Sequence, residues 1–594
     1  MTTAAADSRA VGAATIAEAF RITAEDHPDR VAVRTKDDEV SLTWAELRDR
    51  VDALARGLHE LGVRRGDRVA LMLANRPEFH VADLAAMTLG ATPFSIYATS
   101  SPEQIAYVVA DAEARVAIVE DAFLGSFQAA GIDGLEHLIV VEGERGPGTL
   151  ALADVEATDS DLDVEAAWRA VEPEDLVTLI YTSGTTGPPK GVQLVHRNLM
   201  AAAHGVERLV RFPDGSKVIS WLPSAHIAER MAHHYLPVVY AMTVTCCPNP
   251  REVVAYLPAV RPTWFFAVPR IWEKLKAGME GYLTSGEDGE RRAELLAAAA
   301  RKVELEQAGE PVPDDLAATV AEADEQLFAS LRAMLGLDEA VAVNVGAAPT
   351  PREVIVFFHS IGIPLAELWG MSETCGAGAC NPPDRIKIGS VGPPSPGVEA
   401  RLADDGELLV RSDVVMTGYR HLPERTAEAL DAEGWLHTGD IATIDEDGYI
   451  TLVDRKKELI INAAGKNMSP ANIESTLKGS SSLIGQACVI GDGRPFNTAL
   501  IVLDADFAPA WAAQHGLEGR SFEALAGEPA VREALQGGVD AANDKLARVE
   551  QIKRFTIVEG DWAPGGDELT PTMKLKRRPI AEKYAAAIEA MYER

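Results

Sequence analysis

The segment from Asp175 to Val192 reads DLVTLIYTSGTTGPPKGV and places a glycine-rich loop directly after an apolar run. DLVTLIY is typical of a buried strand, and HRNLMAAAHGV, which begins at His196, is typical of a helix. Glycines let backbone N–H groups converge on an anion, while hydroxyls and a lysine add further donors and a positive charge. The sequence therefore predicts a phosphate-binding loop rather than a mobile surface loop. Its candidate binding residues are Thr182, Ser183, Gly184, Thr185, Thr186, Gly187 and Lys190.

The spacing of this loop is informative about the class of nucleotide-binding protein. A Walker A loop requires GxxxxGK[ST], whereas residues 184–191 read GTTGPPKG. A triphosphate is the expected ligand, but the loop is not that of a P-loop ATPase.

Composition excludes several other classes of protein. The formal charge of −34 over 594 residues argues against general nucleic-acid binding, so any anion site must rely on a few placed cations and backbone N–H groups. The five cysteines form no CxxC pair, and neither a zinc site nor a disulfide framework is indicated. No apolar run of about 18 residues and no secretory leader is visible, so we expect a cytoplasmic protein.

The pattern along the chain predicts several structural regions. Thr43 precedes apolar residues spaced by three or four, which predicts a capped helix, and the strand signal of 67–73 follows it. This alternation predicts largely parallel sheets covered by helices. Residues 273–335 indicate a helical insertion or, alternatively, a solvated charged helix without function. Residues 389–453 indicate a small β-rich subdomain, and the chain after Asp454 indicates a compact α+β unit.

Five motifs together carry a family resemblance. They are YTSGTTGPPKGV (181–192), WGMSE (369–373), GWLHTGD (434–440), DRKKELI (454–460) and GKNMSPANIE (465–474). In this order they resemble the adenylate-forming superfamily, which contains acyl-CoA synthetases, luciferases and peptide-synthetase adenylation domains. The resemblance implies an α/β fold with a large N-terminal domain of βαβ-type sheets (1–454) and a small mobile α+β C-terminal domain (455–594).

The chemistry implied by the resemblance has two half-reactions. A carboxylate attacks the α-phosphate of ATP to give an acyl-adenylate and pyrophosphate, and the thiol of coenzyme A then displaces AMP. Neither step needs a protein nucleophile, so the protein must align the reactants and neutralise charge. ATP, Mg²⁺ and coenzyme A are the implied small molecules.

The resemblance also assigns roles in the nucleotide site. Glu373 matches a carboxylate that helps to hold Mg²⁺, with Thr185 as a second metal ligand. Trp369 matches an aromatic residue that stacks on adenine, with a core tryptophan as the alternative. Asp440 matches the carboxylate that binds the ribose hydroxyls, and Arg455 matches a second ribose or phosphate contact. Further residues matched to the nucleotide site are Gly346, Ala347, Ala348, Gly370 and Ser372.

The late segment ELTPTMKLKRRPI matches the family's mobile lysine. Lys574 is expected to bridge the acyl carboxylate and the α-phosphate in the first half-reaction, although Met573 stands where the family usually has glycine. Lys576 is the alternative. The resemblance puts the pivot of domain rotation at Lys457, and it puts Gly465 beside the pantetheine arm after rotation.

The nature of the acid is indicated by WLPSAHIAER (221–230) and by the P-T-x-K-x-x-R pattern, which resemble long-chain fatty acyl-CoA synthetases. His226 is expected to border the carboxylate end of the acyl site, with a satisfied core histidine as the alternative. Trp264, Phe265 and Phe266 suit either the wall of an apolar tunnel or ordinary core packing. The expected catalytic residues are thus Lys574, Glu373, Lys190 and His226.

Two alternatives share these motifs: a ligase that passes the acyl group to a carrier protein, and a non-catalytic nucleotide-binding protein. The basic residues near the C-terminus also leave open a peripheral contact with acidic phospholipid, and the chain could act as a monomer or a homodimer. A fatty acid, ATP and coenzyme A are the expected partners, and no nucleic acid is expected.

Overall fold

The computed structural model describes residues 8–143, 146, 148–182, 188–462, 467–570 and 573–593. These residues form several helix-covered sheets and a smaller unit at the C-terminal end, which confirms the predicted α/β fold class. None of the helices within these ranges is long and apolar enough to span a membrane.

A five-stranded parallel sheet near the N-terminus follows the predicted alternation of strand and helix. Helix Trp44–Glu60 has the predicted cap: Thr43 Oγ1 accepts a hydrogen bond from Glu46 N–H, and the Glu46 carboxylate accepts one from Thr43 N–H. In spatial order the strands are Thr92–Ser95, Arg68–Met72, Val116–Val119, His137–Val140 and Thr149–Ala151. The helices of this region are Ile16–Asp26, Trp44–Glu60, Pro77–Thr88, Pro102–Ala112, Asp121–Ala129, Leu152–Glu156 and Val164–Arg169.

Two four-stranded sheets follow, each with three parallel strands and one antiparallel edge strand. The first has the order Lys217–Ser220, Thr243–Cys246, Val31–Thr35 and Ser41–Thr43. The second has the order Trp264–Ala267, Ala342–Val345, Leu365–Trp369 and Ala379–Cys380. Associated helices are His196–Glu207, Ile227–Arg230, π-helical Met231–Tyr235, Leu236–Tyr240, Val253–Val260 and Arg352–Ser360.

Residues 273–335 are mainly helical, and their status as an insertion stays a prediction. The helices are Pro269–Thr284, Gly289–Gln307, Asp314–Ala323, π-helical Asp324–Phe328 and Ala329–Leu335. Short 3₁₀ helices elsewhere in the main body are Arg9–Gly12, Pro250–Glu252 and Ser372–Thr374.

Two antiparallel sheets frame the region of the predicted nucleotide site. The three-stranded sheet has the order Gly418–Tyr419, Lys190–Val195 and Leu176–Thr182. The four-stranded sheet has the order Glu399–Leu402, Glu407–Arg411, Leu436–Ile444 and Ile450–Arg455, with helix Pro423–Ala429 inserted.

The C-terminal unit has a core of its own on each face of a three-stranded sheet. Ala487 and Val489 pack in one apolar cluster, whereas Cys488 packs in the other, as strand alternation requires. The strands are Ile484–Ile490, Asn497–Leu503 and Ile552–Val558, and a small ribbon pairs Ile460–Ile461 with Asn467–Met468. The helices are Pro470–Ser480, Ala508–Gln514, Phe522–Ala526, Pro529–Lys545, Arg577–Lys583 and Ala585–Tyr592.

Ion pairs join this C-terminal unit to the main body. Arg270 pairs with Asp504, and Lys274 Nζ lies 3.0 Å from Asp506 Oδ2. Both cations lie on helix Pro269–Thr284. These pairs hold the C-terminal unit against that helix.

Candidate active site

Strand pairing brings Lys190 back beside the start of the predicted phosphate loop. Thr182 ends one strand, Lys190 begins the next, and the two residues lie opposite each other in the antiparallel register. Thr182 Oγ1 donates a hydrogen bond to the Lys190 carbonyl oxygen at 3.5 Å. Five predicted loop residues lie outside the described part of the chain: Ser183, Gly184, Thr185, Thr186 and Gly187.

Glu373 lies in a 3₁₀ turn that follows strand Leu365–Trp369, and its side chain faces the same region as Lys190. Glu373 and the neighbouring Ser372 are buried. Glu373 Oε1 accepts a hydrogen bond from the hydroxyl of Tyr419 at 2.7 Å. Burial lowers the pKa of Lys190, and the Glu373 carboxylate opposes that change.

Glu373 also meets the chemical requirements of a single-carboxylate Mg²⁺ contact. In residues 8–143, 146, 148–182, 188–462, 467–570 and 573–593, no group of three or more His, Cys, Asp or Glu side chains is arranged to hold a metal. Mg²⁺ usually binds one or two carboxylates together with substrate phosphates and water, so one carboxylate near Lys190 is compatible with it. Since Oε1 takes the Tyr419 hydrogen bond, Oε2 is the oxygen available to a metal.

Trp369 is held in place by packing and by one hydrogen bond. Its Nε1–H donates to Asp440 Oδ2 at 2.9 Å, and the residue is 7% exposed. The backbone at Gly370 requires glycine, because a Cβ there would lie 2.1 Å from the Gly376 carbonyl oxygen. At Gly346 a Cβ would lie 2.9 Å from Leu368 Cδ1, which brings that backbone close to the same strand. The next two predicted residues, Ala347 and Ala348, are exposed.

Asp440 and Arg455 are directly paired across two strands of the β-rich region. Arg455 Nε lies 2.8 Å from Asp440 Oδ1, while Trp369 binds the other carboxylate oxygen. Burial raises the pKa of Asp440, and the Arg455 charge and the Trp369 hydrogen bond oppose the rise. The carboxylate is thus fixed in orientation by a cation on one side and an indole on the other.

Lys574 reaches this cluster from the C-terminal unit. Lys574 is exposed to solvent, and the region that it shares with Arg455, Asp440 and Glu373 is named the cleft. Burial and the Arg455 charge lower the pKa of Lys574, whereas Asp440 and Glu373 oppose the change, which puts all four charged groups within electrostatic reach. Four charged side chains that lie far apart in the sequence are thus brought together in the cleft.

The local backbone separates Lys574 from Lys576. Met573 has φ +65°, a left-handed conformation that glycine adopts without strain, and Lys574 N–H donates to Thr570 Oγ1 at 3.0 Å. Lys576 Nζ instead donates to the Gly566 carbonyl oxygen at 2.7 Å, within its own unit. The structure thus brings Lys574, and not Lys576, to the cleft.

His226 caps helix Ile227–Arg230, where its Nδ1 accepts a hydrogen bond from Ala228 N–H at 3.1 Å. Burial, with the Lys574 charge second, lowers the pKa of His226 to about 4. The imidazole is neutral at pH 7, and it lies near the lysine of the C-terminal unit.

Two remaining predicted residues concern domain rotation. Lys457 lies in the turn after strand Ile450–Arg455, and its charge helps to lower the pKa of Lys190. It is therefore close to Lys190. Gly465 lies outside the described residues.

Sequence reasoning missed residues that orient the predicted ones. Tyr419 contacts both Glu373 and Lys190, but it lies in the segment MTGYR (416–420), which has no distinguishing pattern by itself. Arg230, fully buried, pairs with Asp83, and its Nε donates to the Ser224 carbonyl oxygen at 3.1 Å, which fixes the loop that carries His226. Neither contact has a local sequence signal.

Comparisons with known proteins identify the family of this chain. Residues 20–420 match the family described as AMP-binding enzyme, and residues 457–594 match the AMP-binding enzyme C-terminal domain. A Mycobacterium tuberculosis protein, provisionally named as fatty-acid–CoA ligase fadD11, is 52% identical over 454 residues, or 75% of this chain and 79% of that protein. The long-chain-fatty-acid–CoA ligase FadD15 of Mycobacterium bovis is 36% identical over 583 residues, or 96% of this chain and 95% of that protein.

A solved structure shares the fold. The O-succinylbenzoate coenzyme A synthetase of Bacillus subtilis in complex with AMP has a TM-score of 0.68 at 20% identity, covering 94% of this chain and 97% of that chain. At this identity the likeness concerns the fold alone. Because both parts of the chain match models of this family and the relatives are 36% and 52% identical, this chain belongs to the AMP-binding enzyme family.

Proposed function

We propose that the protein activates a fatty acid with ATP and transfers it to coenzyme A. In the first half-reaction a carboxylate oxygen of the acid bonds to the α-phosphorus of ATP, and pyrophosphate leaves. In the second, the coenzyme A thiol loses its proton, its sulfur attacks the acyl carbon, and AMP leaves. The observation that carries this proposal is the convergence of Lys574, Asp440, Arg455 and Glu373 on one cleft.

The cations of the cleft suit the first half-reaction. Lys574 can bridge the acyl carboxylate and the α-phosphate, because its ammonium already lies among the carboxylates of the site. Lys190 follows the phosphate loop and is suited to the outer phosphates. Placed charges of this kind stabilise a transition state without a covalent intermediate on the protein. When bound, Mg²⁺ would neutralise phosphate charge, with Glu373 and Thr185 as its protein ligands.

The remaining groups suit the nucleoside and the acid. Asp440 has two carboxylate oxygens that can accept from the ribose hydroxyls, and its two present partners fix the direction of those oxygens. Neutral His226 can border the acyl carboxylate without adding a second cation beside Lys574.

A long acyl chain is the preferred substrate in this proposal. The support comes from relatives named as long-chain-fatty-acid–CoA ligases, including FadD15 at 36% identity over 96% of this chain. Among the candidate tunnel residues, Phe265 and Phe266 are buried in one apolar cluster, as core packing requires, whereas Trp264 is half-buried at its edge and is the candidate that we propose for the tunnel wall.

The domain assignment completes the mechanism. We place the boundary after Asp454 and the pivot at Lys457, so the C-terminal unit carries Lys574 for adenylation and Gly465 for thioester formation. The docked orientation seen here, with Lys574 in the cleft, suits adenylation.

A product analysis tests the function. The protein is incubated with palmitate, ATP and Mg²⁺, with and without coenzyme A, and the products are identified by mass spectrometry. We expect palmitoyl-AMP and pyrophosphate without coenzyme A, and palmitoyl-CoA and AMP with it. ADP and phosphate would contradict adenylation. Transfer of the acyl group to an added acyl carrier protein, but not to coenzyme A, would support the carrier-protein ligase instead. Faster turnover of acetate than of palmitate would contradict a long-chain substrate.

A further inference from the structure

Tyr419 contacts two oppositely charged groups of the candidate active site. Its hydroxyl donates to Glu373 Oε1 at 2.7 Å, and Lys190 Nζ lies 4.1 Å from the centroid of its ring. Tyr419 is 8% exposed, so water screens both interactions poorly. One side chain thus holds a carboxylate at its polar end and an ammonium over its face.

The sheet register explains this position. Tyr419 lies opposite Val192 in the antiparallel pair, and Lys190 precedes Val192 by two residues on the same face. Diagonal neighbours of this kind are within reach of long and aromatic side chains. The backbone of Tyr419 is held separately, because its N–H donates to Thr426 Oγ1 at 2.9 Å. Its location therefore does not depend on the hydroxyl.

The contacts of Tyr419 keep the charges of Lys190 and Glu373 from pairing directly with each other. A lysine and a glutamate in a poorly hydrated site attract each other strongly. A direct pair would occupy the Glu373 oxygen that a metal needs and the Lys190 ammonium that phosphate needs. In the structure, where both side chains are described, each contacts Tyr419 instead.

We infer that Tyr419 is a positioning residue that keeps Glu373 and Lys190 apart and orients each toward its own part of a magnesium–ATP complex. The Tyr419 hydroxyl orients the Glu373 carboxylate by its hydrogen bond to Oε1. The Tyr419 ring makes a cation–π contact with Lys190, and Lys190 can exchange this contact for one with phosphate when ATP binds. The inference rests on the nucleotide chemistry proposed above.

Two substitutions separate the hydroxyl from the ring. Tyr419→Phe removes the hydrogen bond but keeps the ring under Lys190, whereas Tyr419→Leu removes both. Tyr449→Phe is a matched control, because the Tyr449 hydroxyl donates to the Arg385 carbonyl oxygen at 2.8 Å and its ring lies 5.4 Å from Lys387 Nζ, away from the cleft. Pyrophosphate release is measured against Mg²⁺ and against ATP, and the Mg²⁺-dependent rise in Tm with ATP provides a readout independent of turnover.

The expected results differ between the two variants. Tyr419→Phe should raise the half-saturating Mg²⁺ concentration about tenfold, as loss of a hydrogen bond to a charged group implies, with little change in the KM for ATP at saturating Mg²⁺. Tyr419→Leu should raise both quantities, since Lys190 can then pair with Glu373. Tyr449→Phe should change neither.

Other outcomes are distinguishable. A wild-type protein that releases no pyrophosphate would overturn the proposed function itself. Normal wild-type turnover with unshifted Mg²⁺ and ATP dependences in both Tyr419 variants would overturn this inference alone. A fall in Tm and in kcat without a change in either dependence would reduce Tyr419 to a structural residue and would equally overturn the inference.

Discussion

The indole nitrogen of Trp369 donates a hydrogen bond to Asp440, with 2.9 Å between Nε1 and Oδ2. The two residues belong to different sheets and are separated by 71 positions in the chain. The bond joins the side chain expected to meet adenine to the side chain expected to bind the ribose. In the proposed function, this bond would link the binding of the two halves of the nucleoside.

The first prediction concerns this link. Trp369→Phe keeps an aromatic ring but leaves Asp440 with Arg455 as its partner, so the carboxylate is less firmly oriented. We expect the KM for ATP to rise about tenfold, since a buried hydrogen bond to a carboxylate is lost. Steady-state kinetics with varied ATP measures this change. The control is Trp562→Phe, which also removes an indole hydrogen bond, to Tyr584 at 3.2 Å, but away from the cleft. Equal KM values in the two variants would contradict the link.

The second prediction separates the half-reactions. Lys574→Ala should slow acyl-AMP formation by orders of magnitude and spare thioester formation from synthetic acyl-AMP, because the second step needs no bridge between carboxylate and phosphate. Gly465→Leu should do the reverse, since a bulky side chain would obstruct pantetheine. Single-turnover assays of each step provide the measurement. Lys576→Ala is the matched control, because the Lys576 ammonium binds the Gly566 carbonyl oxygen. Damage to the same step by Lys574→Ala and Gly465→Leu would reject the two-orientation scheme.

The third prediction concerns pH. Burial and the Arg455 charge lower the pKa of Lys574. An amine is cationic below its pKa, so acyl-AMP formation should be lost as the pH rises through that lowered value, earlier than for an ordinary lysine. Lys574→Arg should keep its charge and move the alkaline limb of the profile to higher pH, even if its rate is lower. Identical alkaline limbs in both proteins would assign that limb to another group.

The fourth prediction concerns the ion pairs that dock the C-terminal unit. Arg270→Ala with Lys274→Ala should weaken the orientation that holds Lys574 in the cleft, because their partners Asp504 and Asp506 lie on the other unit. We expect acyl-AMP formation to fall about two- to fivefold, consistent with about 1 kcal/mol or less for partly exposed pairs. Thioester formation from synthetic acyl-AMP should not fall.

The control for the docking pairs is Lys302→Ala, which breaks a pair within one helix, 2.9 Å from Lys302 Nζ to Glu306 Oε1. The rates of both half-reactions are measured at low and high salt. High salt screens these ion pairs, so it should affect the wild-type protein as the double substitution does. An unchanged ratio of the two half-reaction rates would show that these pairs do not set the orientation.

Local features of the fold were predictable from the sequence because they depend on neighbours in the chain. Thr43 and Glu46 form a reciprocal cap that their spacing predicts, and the apolar run before the phosphate loop forms strand Leu176–Thr182. The alternation of such segments also predicted the α/β class. The motif residues Asp440 and Glu373 could be named in advance because their types and order resemble those of a known family.

Contacts between distant segments were decided by tertiary structure. The register of strand Gly418–Tyr419 against Lys190–Val195 puts a tyrosine between Lys190 and Glu373, and no local pattern encodes that register. The choice between two nearby lysines was also made by packing: a left-handed Met573 directs Lys574 to the cleft, while Lys576 binds its own unit's backbone. Periodicity and capping act over a few residues, whereas these contacts depend on how whole sheets pack, and so only the folded chain determines them.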